Sequence, residues 1–334
     1  MAARIIIVAA PWLLLTWSAA AQPAPDCRRA ATPVDKAICA DPKLAAADKG
    51  MAAAYAALRT RLPAEQHTAL LADQREWLRH RNETCAGKSG EELPKCLLAE
   101  TEPRRRFLAG EYDNGTADAP RLLPNFISEE RKSRYKISIE YPQIAAASVP
   151  AAAAFNKVMR GAALPRGLAD FRTFEPGPGG ANWYESGYTV EYLDRRLASI
   201  VFGVFSYGGG AHPNTSVTSV LFDLKQGRAL DLPDILADPQ PAIAAIASEC
   251  KARLQAEATK DGWDFFDDAD KHFAEVVGNV ATWSADKDGI DIQFDPYSVA
   301  AYAAGRHDCQ LTYAELARWL KPGGPLPPQQ EGKQ

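Results

Sequence analysis

Six cysteines, Cys27, Cys39, Cys85, Cys96, Cys250 and Cys309, constrain this chain most, because they follow a leader that directs it out of the cytoplasm. Arg4 precedes an apolar stretch from Ile5 to Trp17, and small residues run from Ser18 to Ala21. Residues 1–21 therefore read as a signal peptide cut after Ala21. The apolar run, interrupted by Pro11, is shorter than the roughly 20 residues needed to span a bilayer, so no membrane anchor is expected after cleavage. No small-residue lipobox precedes Cys27, which argues against lipid attachment. In an oxidising compartment an even number of cysteines predicts three disulfides in a periplasmic or secreted protein. Four of them fall within residues 27–96 and two far downstream, so the chain divides into two separately stapled units.

Charge divides the chain in the same way. Residues 22–110 hold 15 Lys and Arg against 12 Asp and Glu, whereas residues 111–334 hold 22 against 30. An acidic body does not suit nucleic acid or an anionic membrane surface; it attracts a basic protein.

Residues 22–108 read as helices. Asp41 is an N-cap with Pro42 at the first helical position, and Leu44, Met51, Tyr55, Leu58 and Leu62 follow at helical spacing. Pro63 opens a second helix with a stripe of Leu70, Leu71, Trp77 and Leu78, ending near Cys85–Gly90. A third carries Leu93, Leu97, Leu98, Phe107 and Leu108. Four cysteines allow three pairings. If the first two helices fold back at Leu62–Pro63, equal rise along each sets Cys85 opposite Cys39. That predicts Cys39–Cys85 and, by elimination, Cys27–Cys96, with Cys250–Cys309 in the second unit. Trp77 and Arg81 share a helix face, Gln74 lies one turn earlier, and Asp48 is placed to receive Arg81 as a bidentate ion pair. These four residues read as a structural, Trp-centred core, and no nucleophile stands beside a base.

Residues 109–127, rich in Gly, Asp, Asn and Pro and without periodicity, read as a linker. Tyr135 to Tyr141 alternates as a half-buried strand, a helix with Phe155, Val158 and Met159 follows, and residues 183–206 form a hairpin across Asp194-Arg195-Arg196. Val217 to Leu224 is a strand with a short return strand from Ala229 to Leu232. Helices over about 240–257 and 265–283, a strand from Gly289 to Phe294 and a last helix with Leu316, Trp319 and Leu320 complete a domain over 128–321. The Pro/Gly/Gln-rich tail, 322–334, is expected to be disordered. The fold class is α+β: a disulfide-stapled N-terminal helical module plus a C-terminal α+β domain with an antiparallel sheet and packed helices.

The segment Tyr207-Gly208-Gly209-Gly210-Ala211-His212-Pro213-Asn214 is the most distinctive of the second unit. Consecutive glycines permit positive φ and close approach of another segment, which suits a binding loop. The Lys and Ser/Thr of a phosphate-binding loop do not follow, so a nucleotide is not implied. His212 has no Ser or Cys at an elbow motif and reads as hydrogen-bonded into its turn. The five histidines show no metal-ligand spacing, and Asp286, Asp288 and Asp291 around Gly289 read as an acidic turn rather than a calcium loop. Neither a metal nor a cofactor is expected. Asp261, Asp264, Asp267, Asp268 and Asp270 form an acidic run that would steer a cationic partner.

The spacing of Cys27, Ile38-Cys39, Leu44, Asp48, Tyr55, Gln74, Trp77, Leu78, Arg81, Cys85 and Cys96 resembles the N-terminal domain of LprI-type lysozyme inhibitors, over about residues 27–108. Residues 128–321, with the glycine loop and a later Phe294-Asp295-Pro296-Tyr297 segment followed by Tyr302 and Gly305, resemble the extracellular region of RsiV-type anti-sigma factors. That region is a lysozyme receptor whose loops enter the lysozyme cleft. The resemblance implies that Tyr207, Gly208, Gly209, His212, Asn214, Tyr297 and Tyr302 bind the partner. Two function classes follow. The first is a non-enzymatic exported protein that binds, with or without inhibiting, lysozyme or a related cell-wall hydrolase. The second is a cell-envelope enzyme or glycan-binding accessory factor that acts on peptidoglycan.

Overall fold

The computed structural model describes residues 27–145, 149–164, 168–173, 175–177 and 180–327. The expected signal peptide lies outside the described residues. Helices α1 (Pro33–Ala40), α2 (Pro42–Arg61), α3 (His67–Thr84) and α4 (Glu92–Ala109) form the N-terminal module. Asp41 caps α2 by accepting from the amides of Lys43 and Leu44, with Pro42 inside the first turn where its missing N–H is harmless. Gly110 ends α4 at φ +67°, and a Cβ there would meet the Leu122 carbonyl at 2.2 Å. α1 was not expected from the sequence.

The disulfides are Cys27–Cys39, Cys85–Cys96 and Cys250–Cys309. The predicted pairing of the first four is therefore wrong, although the fold-back behind it is right. Cys85 and Ile38 share one apolar cluster with Leu44 and Leu97. What equal rise left out is α1, which carries Cys39 away to Cys27, and the start of α4, which brings Cys96 to Cys85. Each bond in the module is thus local, 12 and 11 residues apart, while Cys250–Cys309 joins positions 59 apart.

The second unit is built on a six-stranded sheet with strands in sequence order: β1 (Leu122–Arg131), β2 (Tyr135–Ile144), β3 (Asn182–Leu193), β4 (Leu197–Tyr207), β5 (Asn214–Asp223) and β6 (Arg228–Ala229). It is antiparallel except between β2 and β3, which run parallel for five pairs and part after Ile139↔Ser186. Helices α5 (Ala152–Ala163) and α6 (Leu168–Thr173) lie in the β2–β3 crossover, and Phe155 and Met159 of α5 pack on Ile137, Ile139, Phe202 and Phe222. After β6 come α7 (Leu232–Ile235), α8 (Pro239–Asp261) and α9 (Ala269–Val277). A second sheet, β7 (Trp283–Ala285), β8 (Gly289–Phe294) and β9 (His307–Thr312), precedes α10 (Tyr313–Leu316). Trp283, Ile292, Phe294, Phe273 and Cys250 share the largest core with Leu197 and Leu221 of the large sheet. The two sheets are also tied by polar groups: Ser199 Oγ accepts from the Ala285 amide at 2.9 Å, and Ser219 Oγ donates to Gln293 Oε1 at 3.0 Å.

Residues 109–127 are not a free linker. Where β2 leaves β3, the segment from Tyr112 to Thr116 takes its place. The Leu193 amide donates to the Asn114 carbonyl, the Thr116 amide donates to the Leu193 carbonyl, and the Tyr112 and Tyr188 hydroxyls lie 2.7 Å apart. From Leu122 the chain is already β1, whose Phe126 and Leu123 pack with Leu58, Leu62, Leu70 and Leu108 of the helices. Strand β1 escaped the sequence reading because Leu122 to Phe126 are all buried, so no alternation marks them. The expected free tail is docked as far as Pro327: Leu326 packs on the large core, and Arg196 holds the Gly323 carbonyl. The rest of it lies outside the described residues.

Candidate functional site

The four structural residues of the helical module turn inward. Arg81 and Asp48 are both buried and joined through one guanidinium nitrogen at 3.3 Å, not by the bidentate pair expected. The reason is competition: the same nitrogen lies 3.4 Å from Thr101 Oγ1, and Nε turns to Asn82. Trp77 is flanked by two guanidinium groups, Arg81 at 5.2 Å and Arg104 at 5.7 Å from its ring centre. Gln74 accepts from Arg104 Nε at 3.1 Å and donates to Met51 Sδ.

Arg104, which the sequence reading missed, is the centre of this network. Its guanidinium pairs with Asp73 on α3 and, at 3.3 Å, with Glu140 on β2, where β2 and β3 fork. Two carboxyl groups thus share one buried cation. Burial, then the neighbouring Asp73 carboxylate, push the Glu140 carboxyl well above the usual range, so it tends to keep its proton. The network joins the helices to the sheet.

At the β4–β5 turn the two loops singled out in the sequence meet. His212 stacks on Tyr302 with ring centres 3.9 Å apart, and Tyr302 packs at 5.4 Å on Tyr297. Both the Tyr302 hydroxyl, at 2.8 Å, and His212 Nδ1, at 2.9 Å, reach the Pro213 carbonyl. A carbonyl only accepts, so Nδ1 is the protonated nitrogen of His212. Among the described residues no carboxylate hydrogen-bonds His212. Tyr207 donates to the Gly210 carbonyl at 3.0 Å. Gly209, at φ +82°, sits against Gly177 so closely that a Cβ would lie 2.7 Å from the Gly177 Cα. Gly208 is exposed on the same loop, and Asn214 is exposed at the start of β5.

Among the described residues Tyr297 is the most exposed large hydrophobic, at 56%, and it has φ +70°. The Ser298 amide donates to the Asp295 carbonyl, which closes a turn with Pro296 in its second position and Tyr297 in its third. Glycine or asparagine normally occupies that third position when φ is positive. A tyrosine held there is strained, as residues at binding surfaces often are. Trp183, 43% exposed, contacts Phe205 at 6.0 Å and Tyr207 at 5.8 Å and was missed. Its signal was legible: it is an aromatic on the polar face of an alternating strand.

Several of the acidic residues singled out above form surface pairs or cap a turn. Asp270 pairs with Lys251 at 2.6 Å, and Asp268 lies 3.1 Å from His272. Asp286 accepts from the amides of Asp288 and Gly289, as an acidic turn should. Among the described residues no cluster of ligand side chains could hold a metal ion, and no helix is long and apolar enough to cross a membrane.

No curated protein matches this chain. Two solved structures are similar to it. A member of the DUF3298 family from Bacteroides fragilis NCTC 9343 is 17% identical, with 61% of this chain and 95% of that chain covered at a TM-score of 0.46. A DUF3298 family protein from Pseudomonas aeruginosa PAO1 is 18% identical, with 62% and 98% covered at 0.45. Residues 27–108 match the family described as lysozyme inhibitor LprI, and residues 233–314 match a family of unknown function, DUF3298. The chain thus carries an LprI-like helical module followed, in its C-terminal region, by a DUF3298-like one.

Proposed function

We infer that this is an exported protein, periplasmic or secreted, that binds lysozyme or a related cell-wall hydrolase and acts by that contact rather than by catalysis. The contact surface is formed by the loops Tyr207–Asn214 and Tyr297–Tyr302, in keeping with the resemblance to RsiV-type receptors. The observation that carries this reading is the His212–Tyr302–Tyr297 stack, which unites two loops about 90 residues apart behind an exposed, strained tyrosine. The LprI match supports the choice of partner. The helical module contributes less to the contact, because Arg81, Arg104, Asp73 and Gln74 are all committed inside it. The acidic second unit favours a basic partner and a salt-sensitive on-rate.

A titration of the protein with c-type lysozyme, read with a cell-wall turbidity assay, tests this. A complex at micromolar concentrations, weakened at least about tenfold by Tyr297→Ala, is expected for an aromatic hot spot. No complex at those concentrations would overturn the reading, and an unchanged affinity of the variant would remove the loops from it.

A further inference from the structure

Beside these loops, on the face of the large sheet between the helical module and the second sheet, lies a groove of about 430 Å³ lined by Glu185, Phe205, Thr215, Asp295 and Arg306. Its floor is unusual. Gly187 on β3 and Gly203 on β4 are register partners, and Gly203 in turn faces Val217 on β5. Neither glycine has a positive φ. A Cβ at Gly203 would meet nothing within 4 Å, and one at Gly187 only Glu140 Oε2 at 3.6 Å. Conformation and crowding therefore explain neither of them. Glycine weakens a strand interior, and a bare pair in register marks a place where something outside the sheet comes close.

The walls say what that is. Phe205 contacts the exposed indole of Trp183, so apolar ring faces border the groove at one end. Asp295 uses Oδ1 to accept from the Val217 amide at 2.9 Å, leaving Oδ2 for a ligand. Glu185 is exposed two pairs along from the glycines, and Thr215 adds a hydroxyl. Arg306, paired with Asp308 at 3.0 Å, adds a planar donor. Two carboxylates disfavour a phosphate or nucleic acid, and a guanidinium in the wall disfavours a cation. Flat aromatic faces, planar donors and acceptors and a bare floor suit a ligand that is uncharged, flat on one side and rich in hydroxyls.

We propose that this groove binds a neutral oligosaccharide of two or three pyranose rings, stacked by its apolar ring faces near Trp183 and Phe205 and hydrogen-bonded by Asp295, Glu185 and Arg306. Its volume is that of a small-ligand site. The proposal is independent of the hydrolase contact, since the groove lining includes neither Tyr297 nor His212.

Calorimetric titration of the full protein with N,N′,N″-triacetylchitotriose, with cellotriose and with trilysine tests it. Saturable binding of at least one sugar and none of trilysine is expected. Gly203→Val, which fills the floor with a good strand former, should weaken sugar binding at least about tenfold. Trp183→Ala should do the same, while Gly203→Val keeps wild-type affinity for lysozyme if that contact exists. Glu185→Gln, which keeps the hydrogen bond and loses the charge, should change sugar affinity less than about threefold. The proposal is overturned if neither sugar binds up to about 10 mM, if Gly203→Val binds sugar as the wild type does, or if trilysine alone binds and Glu185→Gln abolishes it.

Discussion

Replacing Arg104 by Met is the most informative perturbation of this fold. Arg104 is 6% exposed, and its guanidinium serves Asp73, Glu140 and Gln74 together. Removing one partner of a buried ion pair typically costs about 3–5 kcal/mol, because the other charge is left uncompensated. Here two carboxyls lose their cation, but burial favours the neutral form of Glu140, so more of the orphaned charge falls on Asp73. That argues for the lower end, about 3 kcal/mol. Arg104 also lies 5.7 Å from the Trp77 ring and 5.1 Å from the Phe107 ring, and methionine recovers the packing but not the cation–π attraction. Those two contacts add about 0.5–1 kcal/mol each, which brings the expected loss to about 4–5 kcal/mol. Urea unfolding followed by tryptophan fluorescence measures it as a fall in midpoint at constant slope. In the Arg104→Met background, Asp73→Asn removes the orphaned charge and should recover about half of the loss. A loss below about 1 kcal/mol for Arg104→Met, or a further loss on adding Asp73→Asn, would refute the account of a shared cation.

Glu140→Gln gives the same site a pH signature. The folded carboxyl binds its proton above the ordinary value of 4.5, so wild-type stability falls as pH rises from there towards the folded titration, by about 1.4 kcal/mol for each pH unit between the two. Gln does not titrate, so the variant's stability relative to wild type should rise across that window. Urea midpoints that differ equally at about pH 5 and about pH 8 would count against it. Among the disulfides, Cys250–Cys309 closes the longest loop; its removal should cost about 4 kcal/mol against about 3 for Cys27–Cys39 or Cys85–Cys96, and unfolding of the paired Cys→Ala variants in the reverse order would contradict this. Tyr297→Gly relieves a positive φ and should stabilise the fold by about 1 kcal/mol in a thermal melt while weakening the lysozyme complex; destabilisation would show that the turn is not strained.

The legible parts of the sequence were those with long local periods. Leu44, Met51, Tyr55 and Leu58 announce α2 because they recur at helical spacing and are all buried, Leu44 in one apolar cluster and the other three in the next. Helix α1 is too short for that signal, with Ile38 its only buried residue, and the pairing of Cys27 and Cys39 was lost with it. Arg104 could not be found, since Asp73 and Glu140 lie 31 and 36 positions away and only the packing of α3, α4 and β2 brings them together. The two loops were singled out one at a time by their glycines and tyrosines. Their union depends on the Tyr302 hydroxyl reaching the Pro213 carbonyl 89 positions back, a contact without local trace.

Strand β1 belongs to two structures at once: it is the edge of the large sheet and, through Leu123 and Phe126, a wall of the helical module. A fragment ending at Leu108 would therefore keep both of its disulfides and still be incomplete. Leu58, Leu62, Leu70 and Leu108 would face water, a patch that favours self-association. Binding measured on such a piece would partly report an apolar surface that the whole protein never presents.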